Sequence, residues 1–173
     1  VIPDFILVNN EGTLELSLNS RNAPNLRVSK SYNDMLEHYS KARLKDKEKK
    51  EAVSFVKQKL DTAKWFIDAI QQRQQTLMIT MDAILNYQRE YFMEGDETKL
   101  RPMILKDIAE IVGMDISTVS RVANSKYIQT PFGTKLLKSF FSDSLSTDSG
   151  EEVSTKEVKK ILEECIAAEK KSK

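Results

Sequence analysis

The sequence is short of the residues on which most catalytic and metal chemistry is built. It holds one cysteine, Cys165, and one histidine, His38, in 173 residues. That excludes an internal disulfide, a cysteine- or histidine-rich metal centre and a Cys/His catalytic pair. Glycines number five and prolines four, and no P-loop, GxGxxG, GxSxG or HExxH pattern occurs. No apolar run is long enough to span a bilayer, and the opening residues do not read as a secretory leader. A reducing cytoplasm and no membrane partner are therefore expected. Charge of one sign is scarce too: 27 basic against 26 acidic residues leave a formal net charge of +1. A stand-alone DNA binder usually carries a strongly basic surface, so any DNA affinity is expected to be weak or shared with a larger assembly. The carboxylates are scattered beside lysines, a solvation pattern and not an acid/base pair. No enzyme activity, cofactor or metal is expected.

What remains is 40% hydrophobic and 31% charged, the profile of a helix-rich protein with one or two modest domains. The most informative stretch is Leu105 to Asn124, LKDIAEIVGMDISTVSRVAN. Ile108, Ala109 and Val112 recur at helical spacing, and Gly113 then suits a helix-ending turn. Asp115 is an N-cap candidate for a second helix. That helix carries Val119 and Val122 inward and places Ser117, Ser120, Arg121 and Asn124 on its opposite face. A small residue at closest approach, a sharp turn and an apolar anchor are what two steeply crossing helices need. The pattern is that of a helix-turn-helix, whose second helix enters the major groove. Arginine can bond O6 and N7 of guanine, and serine or asparagine can bond other base edges or phosphate. The same residues also suit a helix pair that only packs.

Elsewhere, Phe5 to Val8 and the alternating Leu14, Leu16 and Leu18 flank Asn9–Gly12 and read as a β-hairpin. Ser31 to Tyr39 reads as a helix, with Ser31 and Asp34 as a partial capping box. Asp46 to Met93 is apolar at Val53, Val56, Leu60, Ala63, Ile67 and Ile70, then at Leu77, Met81, Ile84 and Leu85. That spacing predicts one or two long helices, with Gln71–Gln75 as a bend or an exposed section and Gly95 as the end. Trp65 and Phe66 are expected in the core. The mixed-sign Lys45–Lys50 run reads as a solvated helix start, and Pro102 lies at the entry to the helix-turn-helix. A short helix is expected after Gly133, with Leu136, Leu137, Phe140 and Phe141 inward. A flexible loop follows over 142–153. Ser154 and Glu157 form a capping box for a last helix, apolar at Val158, Ile161, Leu162 and Ile166. Cys165 is expected half-buried there, and His38 on a helix surface.

Taken together, the blocks resemble a bacterial sigma-54 (RpoN-type) factor. They are Val1-Ile2-Pro3-Asp4, Ala63-Lys64-Trp65, Arg73 with Thr76-Leu77, Arg101-Pro102-Met103, Asp107 to Arg121, and Lys126-Tyr127 through Phe140-Phe141. STVSRVAN alone also resembles lactose-repressor-type regulators. The resemblance implies a mainly α fold: an N-terminal short β-hairpin, long helices, a helix-turn-helix and C-terminal helices. It assigns 1–45 to the end of a core-binding domain, 46–99 to an extra-long helix and 100–141 to the helix-turn-helix region. It assigns 142–153 to a loop and 154–173 to a helix leading to an RpoN-box domain. It implies core RNA polymerase, promoter DNA at the −12 element and, for the full-length factor, an AAA+ activator ATPase as partners. Lys106, Asp115, Ile116, Ser117, Thr118, Ser120, Arg121, Asn124 and Lys126 are then the DNA-facing residues, with Arg121 matching the family's −12 arginine. Arg73 matches a regulatory arginine that holds the complex silent, though an ordinary exposed helix arginine fits it as well. Ile116 stands where some members have glutamate, which puts the neighbouring base preference in question. A glutamine-rich activator-responsive region and an RpoN box are both absent from these residues. A piece of a longer protein is therefore expected, with little activator response or promoter affinity of its own. A stand-alone helix-turn-helix repressor and a helical interaction scaffold are the rival readings.

Overall fold

The computed structural model describes residues 1–21, 24–41, 47–142, 144–146 and 152–170. It is mainly α. In chain order come β1 (Phe5–Asn10), β2 (Thr13–Leu18), α1 (Lys30–Lys41), α2 (Lys47–Tyr87), α3 (Arg89–Glu94), α4 (Leu105–Val112) and α5 (Ile116–Ser125). Then follow β3 (Tyr127–Thr130), β4 (Gly133–Leu136), β5 (Ser144–Ser146), β6 (Glu152–Ser154) and α6 (Thr155–Lys170). No helix among the described residues is long and apolar enough to cross a membrane.

The chain divides into two compact units, one of Val1–Asn22 with Leu77–Lys173 and one of Ala23–Thr76. The boundary expected at 45/46 is not where they part. The opening hairpin, which the resemblance assigned to a core-binding domain, is built into the same unit as the helix-turn-helix. The reason is a strand pairing invisible to local pattern: β1 pairs antiparallel with β2 and parallel with β3, Phe5 opposite Ile128 and Ile6 opposite Gln129. β3 pairs in turn with β4, giving a sheet of order β2-β1-β3-β4. A lone hairpin is marginal in water; two hairpins joined edge to edge over one apolar face are not.

That face carries Phe5, Leu7 and Ile128. They join Leu77, Met81, Ile84 and Leu85 from the end of α2, Tyr91 and Phe92 from α3, and Ile108, Val119 and Val122 from α4 and α5, in one buried cluster. Leu137 and Phe140 complete it. The rings of Tyr91, Phe92 and Phe140 lie 5.0–5.6 Å apart, centroid to centroid, at tilted or edge-on angles, the arrangement that ring quadrupoles favour.

Several local expectations are corrected. The helix beyond Gly133 is instead β4 followed by a short 3-10 turn, Leu137–Phe140. Leu137 and Phe140 are still buried, while Leu136 and Phe141 are only partly so. A strand of four residues carries too little alternation to be seen; Thr130 makes its turn, its hydroxyl donating to the Gly133 carbonyl at 2.8 Å and accepting from the Phe132 N–H. Within 142–153, β5 and β6 pair antiparallel, and 143 and 147–151 lie outside the described residues. Ser31 sits inside α1, not at its cap, and the Ser154–Glu157 capping box falls on side chains outside the described ones. Trp65 and Phe66 are 71% and 53% exposed, so neither is core: on α2 they lie off the stripe of Val56, Leu60 and Ala63. Cys165 is exposed as well, as are Ile161, Leu162 and Ile166. His38 is exposed on α1 as expected.

The long helix runs unbroken through Gln71–Gln75 and breaks at Gln88 instead. Gln88 takes φ −103°, ψ 28°, well outside helical values. Its fully buried amide donates to the carbonyls of Arg101 at 2.7 Å and Phe140 at 3.3 Å, and its Oε1 accepts from the Arg101 N–H at 2.8 Å. Gly95, at φ 75°, then closes α3. A Cβ at Gly95 would lie 2.5 Å from the Phe132 ring, so glycine is required there twice over. Replacing Gln88 by leucine should strip partners from the buried Phe140 carbonyl and the part-buried N–H and carbonyl of Arg101, and lower stability by about 2 kcal/mol. The urea-unfolding midpoint measures this; an unchanged midpoint would show that the amide carries no load.

Candidate nucleic-acid interface

α4 begins after Ile104, whose N–H is taken by the Asp107 carboxylate at 2.9 Å. An isoleucine cannot return the bond, so this is one half of a capping box. The helix ends at Gly113 in the left-handed region, φ 67°, its N–H donating to the Ala109 carbonyl. The Met114 N–H shares that acceptor at 3.1 Å. Asp115 then occupies the N-cap of α5, but through its backbone: its carbonyl accepts from the Thr118 and Val119 N–H groups at 3.0 and 3.3 Å. Its carboxylate makes no capping bond, contrary to the expected role. Ala109 is buried where α4 meets α5, and Val119, Val122 and Ala123 are buried on the inner face of α5.

The outer face of α5 presents Ser117, Arg121 and Asn124, all exposed, with Thr118 and Ser120 half-exposed. The Asn124 side-chain amide donates to the Ser120 hydroxyl at 3.1 Å, and the Ser125 hydroxyl donates to the Arg121 carbonyl at 2.7 Å. The Arg121 guanidinium has no partner among the described residues and stands free on that face. Ile116 is exposed at the first turn and Lys106 is exposed on α4. The structure thus brings eight of the nine DNA-facing candidates to one helix pair. Arg73 belongs to the other unit, exposed on α2.

Lys126 differs. It caps α5 with extended backbone, its N–H donating to the Val122 carbonyl, and its half-buried ammonium lies 3.4 Å from the buried Asp4 carboxylate. The other Asp4 oxygen accepts from the Tyr127 N–H at 3.1 Å, and the Asp4 N–H donates to the Tyr127 carbonyl at 2.9 Å. In the sequence Asp4 carries no role beyond its place in the opening block Val1-Ile2-Pro3-Asp4. The signal available was an acidic residue directly before an apolar strand, which is an uncommon place for a free carboxylate. On the far side, β4 is held by Lys135, which pairs with Glu97 and lies 5.4 Å over the Tyr91 ring. The hydrogen bond to Glu97 raises the Lys135 pKa above its ordinary value, keeping the ammonium charged.

A helix pair joined by a glycine turn, with a free arginine on its second helix and a β-hairpin behind it, defines a helix-turn-helix unit. A family model described as "Sigma-54, DNA binding domain" matches residues 53–173. Over 173 residues the chain is 35% identical to the RNA polymerase sigma-54 factor of Shewanella violacea and 37% identical to that of Pseudomonas putida. It is 38% identical over 169 residues to that of Acidithiobacillus ferridurans. These alignments take in 98–100% of the chain, which spans 33% of each relative's length. In fold it resembles a crystal structure of Aquifex aeolicus sigmaN bound to promoter DNA, with a TM-score of 0.63 and 22% identity, over 96% of this chain and 46% of that one. The chain belongs to the sigma-54 family. The lactose-repressor-type likeness of its recognition segment is thereby a local one.

The left-handed Gly113 sets the joint between the helices. No atom lies within 4 Å of a Cβ built there, so Gly113→Ala should cost only the backbone term, about 1–2 kcal/mol. Gly113→Asn should cost less, because asparagine tolerates that region. Urea unfolding of the two variants tests the order; equal losses would place the cost in packing instead.

Proposed function

We propose that the unit of Val1–Asn22 with Leu77–Lys173 reads promoter DNA within a sigma-54 factor, laying α5 in the major groove at the −12 element. The observation that carries this reading is Arg121: an exposed guanidinium, the sole charge along α5, on a face of serine, threonine and asparagine. Such a face bonds base edges and phosphate and is poorly suited to packing. Arg121 is assigned to a guanine, and Ser117, Thr118, Ser120 and Asn124 to neighbouring edges or backbone. Asp115, Ile116 and Lys106 flank the groove. Ile116 contributes shape and apolar contact only.

The near-neutral charge means that counterion release supplies little affinity. Stable promoter binding then depends on core RNA polymerase and on the remainder of a factor of which this chain matches a third. Within that factor the Ala23–Thr76 unit joins polymerase contact to the extra-long helix, and an AAA+ activator releases the silent complex. Family membership and the outward arginine support this assignment over a repressor or a scaffold.

Arg121→Ala in the full-length factor should reduce discrimination at the GC element by about 1–3 kcal/mol. Competition binding with element-substituted duplexes measures it; unchanged preference would defeat the assignment. Arg73, exposed on α2, is proposed as the regulatory residue. Arg73→Ala should allow transcription without activator in a reconstituted assay, and intact silencing would make it an ordinary surface arginine.

A further inference from the structure

A lysine at the end of a recognition helix is ordinarily assigned to a DNA phosphate. Lys126 is placed otherwise. Its ammonium is turned inward to Asp4, whose carboxylate is buried and bridges the Lys126 ammonium and the Tyr127 N–H. Moving that ammonium to a phosphate would break an ion pair made by a buried carboxylate, which is unfavourable. Asp4 is itself held from behind. Its carbonyl accepts from the Asn19 N–H at 2.8 Å, and the Asn19 side-chain amide donates to the Pro3 carbonyl at 2.9 Å.

We infer that Asp4 is a positioning residue for the recognition helix: through Lys126 and the Tyr127 amide it fixes the C-terminal end of α5, and with it the direction in which Arg121 projects. The inference rests on the reading of α5 as the DNA-contacting helix. The inner face of α5 is apolar, at Val119, Val122 and Ala123, and apolar contacts are non-directional. They hold the helix down but permit it to roll. Directional bonds to the rest of the unit set the roll, and these cluster at the exit: the Leu137 N–H to the Lys126 carbonyl, the Lys126 ammonium to Asp4, and the pair of bonds between Asp4 and Tyr127. Arg121 lies five residues upstream on the same short rod. A small roll becomes a displacement on the order of 1 Å at a long side chain's tip, enough to spoil a bidentate contact. Asp4, directly before β1 and 122 positions from Lys126 in sequence, therefore sets how sharply the promoter is read.

The test uses the full-length factor, with anisotropy titrations on a promoter duplex and on one with the GC element replaced, each over a series of salt concentrations. Asp4→Asn keeps an acceptor for the Tyr127 N–H and drops the charge; Lys126→Gln drops the other partner. Each should reduce preference for the element roughly tenfold, the size of one lost charge-assisted hydrogen bond. The double variant should be no worse than either single, and the slope of log affinity against log salt should not change. The inference is overturned if Lys126→Gln lowers that slope by about one, the signature of a lost phosphate contact, or if Asp4→Asn leaves preference intact. Should Asp4→Asn fail to fold, Lys126→Met decides alone: lower preference at unchanged slope supports the tie, and a reduced slope overturns it. Arg121→Ala, run alongside, separates the underlying reading. If it keeps full preference, the assignment of α5 to DNA has failed, and faster hydrogen exchange at the Tyr127 amide in Asp4→Asn still reports whether the tie holds the exit of α5.

Discussion

One buried carboxamide holds the junction on which the helix-turn-helix unit is built. Gln88 ends α2, and its side chain bonds both backbone groups of Arg101 and the carbonyl of Phe140. A buried polar group of this kind is costly unless every bond is made. Here the donors and acceptors match, so the cost is offset only in one arrangement of three distant segments. Tyr87 reinforces it, its hydroxyl donating to the Pro102 carbonyl while the Arg101 guanidinium lies 4.9 Å over its ring. The segment 101–103, thus placed, leads into α4 and accepts the Ser142 N–H at the Met103 carbonyl. The helix-turn-helix is mounted on this joint.

On that mount the recognition helix is gripped at three places by three kinds of force. The glycine turn sets its start through backbone conformation. Val119, Val122 and Ala123 seat its inner face through burial. The Asp4 clasp sets its end through charge-assisted bonds. None of these uses the outer face, which leaves Arg121 and its polar neighbours open to a partner. Polar, hydrogen-bonding side chains are concentrated on the outer face of one short helix, while the charge of the whole chain is near balance, +1.

Much of this was legible in the residues. The helix-turn-helix could be read because its determinants are local: a small residue, a glycine and an aliphatic at set spacing, with polar residues opposite. The same holds for the opening hairpin and for the buried stripe of Leu77, Met81, Ile84 and Leu85. Trp65 and Phe66 were misjudged because size predicts burial only on average, and their place on α2 lies off its apolar stripe. The break at Gln88 was hidden because glutamine is a good helix former; only a distant backbone socket makes it end one. β3 and β4 were missed because four-residue strands show almost no period.

By itself the sequence determined the helix-turn-helix, its outward arginine and the long helix before it, since each rests on residues near one another in the chain, and the family, which rests on the order of such local blocks along it. Tertiary structure alone decided that the first strand belongs with the helix-turn-helix unit, that Lys126 is turned to Asp4 and that the long helix stops at Gln88. Each of those depends on a partner between 13 and 123 positions away. Local spacing carries no information about such partners; the bonds exist only once the chain has closed.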